Sequence, residues 1–103
     1  MTMDPQACTT MTEVREGVDA TDAEILALLG SRFGYMAAAA RIKTDRGAVR
    51  DEARKAQVID AAKTHARAQG VPEPLVAAIW EMLVESSIAY ELVLFDAKQD
   101  VVI

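Results

Sequence analysis

At 103 residues the chain has the length of one domain, and its 51% hydrophobic content supplies material for a core. Aromatic residues are only 5% and alanine is abundant, a balance that suits close-packed helices rather than a β-sandwich. A net charge of −5 argues against sequence-independent nucleic-acid binding, which needs a basic surface, but permits a small anion held by a few local cations.

The N-terminal stretch MTMDPQACTT has neither a basic start nor an apolar centre, so no signal peptide is expected. No run approaches the roughly 18 apolar residues of a membrane span. The expectation is a cytoplasmic chain without a membrane partner. Residues 1–11 read as a flexible arm, and Cys8 reads as a small residue of that arm more readily than as a reactive thiol. With one cysteine and one histidine, His65, no disulfide framework or zinc cluster can be built within the chain, and neither metal nor cofactor is expected.

From Thr12 the pattern is helical: Val14, Val18, Ile25, Leu28, Leu29, Phe33, Met36 and Ala40 recur at spacings of three and four. Gly17, Gly30 and Gly34 interrupt singly, and the spacing predicts a helix from Thr12 to Lys43. Such a helix is roughly 48 Å long, whereas a domain of this size has a radius of gyration of about 13 Å. It cannot bury its whole stripe against its own chain, and a second subunit is the expected cover. Thr44 to Val49 reads as a loop turned by Gly47, with Thr44, Asp45, Arg46 and Gly47 facing water. A second helix is expected from Arg50 to Gln69, with Val58, Ile59, Ala62 and Ala66 on one side and Gly70 closing it. Val71-Pro72-Glu73-Pro74 ends that helix and starts a third, Pro74 to Lys98, whose Val76, Ile79, Trp80, Leu83, Val84, Ile88 and Leu94 face inward. Residues 99–103 read as a frayed tail. The expected chain is all-α, a single domain over 1–103 of three helices with one very long N-terminal helix, assembled as an intertwined homodimer.

Charge then intrudes on the apolar faces. Arg32 lies four residues after Leu28 and four before Met36. Lys43 follows eleven residues later, and eleven steps of 100° return to within about 20° of the same face. The two cations project the same way, about 16 Å apart along the axis, where long side chains can converge on one anion. Ser87 and Glu91 extend the line through Val76, Trp80 and Leu83 at spacings of four, while Asp51 and Arg54 lie seven and four residues before Val58 on its side. Singly, each has an ordinary reading. An arginine snorkels or pairs with a carboxylate, and a helical serine bonds its own backbone. Jointly they point to a pocket for a polar ligand, because each helix turns polar on its apolar side and buried unpaired charge is costly. Arg15 lies seventeen residues before Arg32, about 25 Å along the axis and roughly 100° round. It reaches such a pocket only from a partner subunit.

The segments VREGVDATDAEILALLGSR (Val14–Arg32), ARIK (Ala40–Lys43), VRDEARK (Val49–Lys55) and ESSIAYE (Glu85–Glu91) carry a resemblance in their order and spacing. Together, over Pro5 to Phe95, they resemble the all-α class of chorismate mutases and the related isochorismate pyruvate lyases. The resemblance implies the chorismate mutase type II fold, a three-helix chain dimerised through its first helix. It implies that Arg15 crosses the dimer, that Arg32 and Lys43 grip a substrate carboxylate, and that Lys43 lies near the ether oxygen. Asp51 and Arg54 then match contacts to the ring hydroxyl and a carboxylate. Ser87 matches a ring-side contact, Glu91 the donor to the ether oxygen, and Val58, Val84 and Ile88 form apolar walls. Lys55 joins the substrate-binding positions, standing where the mutases carry glutamate, an acid that the lyases also lack. The opening DPQACTTMTEVRE is similar to the lyases, whereas Asp51 fits the mutases.

The implied reaction is the one-step pericyclic rearrangement of chorismate to prephenate, in which the protein holds a small dianionic substrate in its reactive shape and stabilises charge as the C–O bond breaks. Arginine forks and a cation plus a donor at the ether oxygen suffice. Glu91 donates there only when protonated, so activity is expected to fall as pH rises. The alternatives are isochorismate pyruvate lyase, releasing salicylate and pyruvate with the same cations, a mixed activity, and a non-catalytic helical dimer.

Overall fold

The computed structural model describes residues 2–99. Three α-helices follow a short 3-10 turn at Pro5–Ala7: α1 (Met11–Ile42), α2 (Glu52–Gln69) and α3 (Glu73–Gln99), with a second 3-10 turn, Arg46–Ala48, between α1 and α2. No strand occurs among the described residues. The expected frayed tail lies, from residue 100 onward, outside them. The segment expected as a flexible arm carries the first 3-10 turn, capped by the Asp4 carboxylate, which accepts from the amide of Gln6.

Local chemistry explains where the helices begin and end. The amide of Glu13 donates to Thr10 Oγ1 while the amide of Thr10 donates to Glu13 Oε1, a reciprocal box that satisfies two orphan donors at the start of α1. The amide of Thr9 and the Thr9 and Thr10 hydroxyls also donate to that oxygen, and these bonds hold the Glu13 carboxyl below its ordinary range. α2 starts two residues later than its spacing predicts, because Asp51 sits before it in extended backbone with its carboxylate accepting from the amide of Arg54 at 3.0 Å. α2 ends at Gly70, whose φ of 71° is the left-handed conformation that glycine adopts without strain. The amide of Val71 then reaches back to the carbonyl of Ala66, closing the cap.

By their contacts the residues form two compact units, one ending at Gly34 and the other beginning at Tyr35. In the first, no described residue is buried, and Val14, Val18, Ile25, Leu26 and Leu28 of α1 are exposed. α1 is long and apolar enough to cross a membrane by length and composition alone, and only 6% of its most apolar window is buried. This corrects the reading that no run approaches a span: counting consecutive apolar residues misses a stretch whose average stays high through scattered Gly, Ser and Arg. In the second unit, Ala40, Val49, Val84, Ile88 and Phe95 form a core joined by Val58, Ile59, Leu92 and Leu94. A second cluster of Ala62, Ala66 and Val76 meets it through Trp80. The alanines let α2 and α3 approach closely, which sets the seam where the polar residues converge.

Candidate functional site

Val84, Ser87, Ile88 and Glu91 fall at helical spacing on one face of α3, and all four are buried. Glu91 is only 4% exposed. A carboxylate this deep requires a partner, and the ammonium of Lys43, one residue past the end of α1, donates to Glu91 Oε2 at 2.7 Å. The Lys43 side chain keeps 30% of its surface, so the pair is open on the cation's side. Ser87 donates to the carbonyl of Leu83 one turn back at 2.6 Å, the ordinary backbone role of a helical serine. Val58 packs from α2 against the core cluster that contains Val84 and Ile88. The structure thus brings together six of the expected positions: Lys43, Val58, Val84, Ser87, Ile88 and Glu91.

Asp51, Arg54 and Lys55 stand at the mouth of α2 in different roles. The Asp51 carboxylate is engaged as the helix cap. Among the described residues the Arg54 guanidinium makes no ion pair, and it lines an apolar groove of about 500 Å³ along the α2–α3 seam with Val58, His65, Val76 and Trp80. Glu91 does not line that hollow, and of the six positions gathered around it only Val58 also lines the groove. Lys55 is held by two carboxylates of α3, Glu81 at 2.7 Å and Glu85 at 2.9 Å, which raise its pKa. Arg50 forks onto Glu85 at 2.8 and 3.1 Å and also reaches Glu52. With Arg50 and Lys55 both donating to it, Glu85 has its pKa lowered to about 2. The spacing of the sequence carried no signal of this network, since its members are far apart in the chain.

Arg15 and Arg32 belong to the first unit, exposed and half-buried respectively. The Arg15 guanidinium makes no ion pair among the described residues. The loop expected to face water is tied down at one point: the Arg46 guanidinium forks onto Asp96 at 2.8 and 3.2 Å and draws that carboxyl below its ordinary range.

Residues 14–92, most of the chain, match the family model of chorismate mutase type II. The chain belongs to the chorismate mutase type II family. A curated relative, the isochorismate pyruvate lyase of Pseudomonas aeruginosa, is 28% identical over 88 residues, which are 85% of this chain and 87% of the relative. The match runs from Val14 through Leu92, so it spans Arg15, Arg32, Lys43, Asp51, Arg54, Lys55, Ser87 and Glu91. In a chain of this family the Lys43–Glu91 pair is a cation beside a carboxyl on an apolar wall. Such a pair can both attract an anion and present a proton to an oxygen.

Proposed function

We propose that the chain is a chorismate mutase, converting chorismate to prephenate in a pocket completed by a second copy. The observation that carries the reading is the pairing of half-buried Lys43 with buried Glu91 beside Val84 and Ile88, within a chain of this family. Within the substrate the bond from the ring carbon to the ether oxygen breaks as the enolpyruvyl methylene carbon bonds to the ring and its C–O becomes a ketone, so no nucleophile or external base is needed. Lys43 stabilises the negative charge that grows on the ether oxygen, and protonated Glu91 donates to the same oxygen. Arg32 and Arg54 bind the carboxylates, and Arg15 arrives from the partner. The apolar wall holds the ring in the compact reactive shape.

The homodimer belongs to the same proposal. α1 leaves Val14, Val18, Ile25 and Leu28 exposed, and the α2–α3 groove with Val76 and Trp80 offers an apolar surface of the kind such a stripe covers. A second copy supplies that stripe together with Arg15.

A lyase acting on isochorismate is the second reading. It is favoured by the similarity to a curated lyase, by the N-terminal arm and by Lys55 standing where the mutases carry glutamate, whereas Asp51 favours the mutase. Incubation with chorismate and, separately, isochorismate distinguishes the two: prephenate supports the mutase, salicylate plus pyruvate the lyase. A non-catalytic helical dimer gives neither, and there Arg32→Ala loses stability alone.

A further inference from the structure

α1 ends without the residue that usually ends a helix. Lys43 and Thr44 follow Ile42, and the nearest glycine, Gly47, lies inside the 3-10 turn. The amide of Lys43 bonds the carbonyl of Ala39, leaving later carbonyls of α1 in need of a donor. That donor comes from the far end of the sequence. The Lys98 ammonium of α3 donates to the carbonyl of Ala40 at 2.6 Å, to that of Lys43, and to that of Arg41 at 3.4 Å. A cation here also opposes the negative end of the α1 dipole. The buried ring of Phe95 lies beneath the ammonium, its centroid 4.4 Å away, and steadies it by a cation–π contact.

Glu91, Phe95 and Lys98 follow one another at spacings of four and three on a single face of α3. Glu91 holds the side chain of Lys43 and Lys98 holds its main chain, so α3 grips one residue at both ends. We propose that Lys98 is a positioning residue: it fixes the backbone from which the Lys43 ammonium reaches the substrate. Lys98 lies beyond residues 14–92, the segment that matches the family. The catalytic consequence rests on the proposed function, whereas the grip on the end of α1 rests on geometry alone.

The test compares wild type, Lys98→Met and Lys98→Arg by amide hydrogen exchange and by steady-state kinetics on the substrate that wild type turns over. In Lys98→Met, exchange over residues 43–49 is expected to quicken by at least about tenfold, with the middle of α2 and α3 unchanged. Turnover should fall by at least about tenfold while KM moves less than about threefold, because a displaced cation fails at the transition state more than at first binding. Lys98→Arg, which keeps a cation within reach of the carbonyls, should recover most of both. Unchanged exchange with unchanged kcat overturns the proposal. So does a loss of activity that merely follows a loss of folded protein on melting, or a Lys98→Met chain that does not fold, since the contact would then be structural only. If wild type consumes neither chorismate nor isochorismate, the functional reading falls and the exchange comparison decides alone: quickening confined to 43–49 upholds the grip, and its absence refutes it.

Discussion

Glu91 is nearly inaccessible to water and has the Lys43 ammonium 2.7 Å from one of its oxygens, so a dianion entering beside it meets a cation already engaged and a carboxylate that repels it. Protonation of Glu91 resolves both problems, releasing Lys43 to the substrate and giving the ether oxygen a donor. Glu91→Gln, a permanent donor that leaves Lys43 free for the substrate, should keep or raise kcat/KM, whereas Glu91→Ala should lose most of it. Full activity in Glu91→Ala removes Glu91 from the role. Arg54 gives a complementary expectation. Its guanidinium makes no ion pair among the described residues, so Arg54→Ala should leave the melting temperature nearly unchanged. If it binds a substrate carboxylate, that variant should lower kcat/KM by about ten- to a hundredfold, the scale of one charge-assisted hydrogen bond. Unchanged kinetics would return Arg54 to the solvated surface.

Between elements, the seam of α2 and α3 is laced by Arg50, Lys55, Glu81 and Glu85, and Glu85, held by both cations, has its pKa lowered to about 2. A carboxyl whose folded value is depressed stabilises the fold fully above its ordinary value, here 4.5, and that contribution is lost as pH falls toward about 2. Chemical denaturation in that window should show wild type losing stability with acid, and Glu85→Gln should lose less over the same interval; equal slopes would show that Glu85 plays no part. The helices were legible because each signal was local. The stripe of α1, the Pro72–Pro74 stop and Gly70 each act within a few residues. The seam was not legible, since Lys55 and Glu81 are 26 residues apart and pair only once the helices have packed. The site shows the same division. Lys43 and Glu91 could be placed on inward faces by periodicity, whereas the use of Asp51 as a cap depended on where α2 begins. Lys98 was hidden for a further reason: a lysine at the end of a helix reads as a solvated charge unless its carbonyl partners are known.

At the scale of the whole molecule, a helix with an exposed apolar stripe and an Arg15 that makes no ion pair among the described residues calls for a second surface, and the shared-site proposal supplies it with another copy. Sedimentation should show a dimer. Arg15→Ala and Glu91→Ala chains, each inactive alone, should regain about a quarter of wild-type activity when refolded together, because half of the dimers then carry one intact site. A monomer, or no recovery, rejects the shared pocket, and partition into lipid vesicles would assign the stripe of α1 to a membrane instead. The central claim, chorismate mutase chemistry, is tested most directly by incubating the purified protein with chorismate and with isochorismate separately and resolving the products. The proposed function predicts prephenate from chorismate. Salicylate and pyruvate from isochorismate with chorismate untouched, or neither substrate consumed, would contradict it.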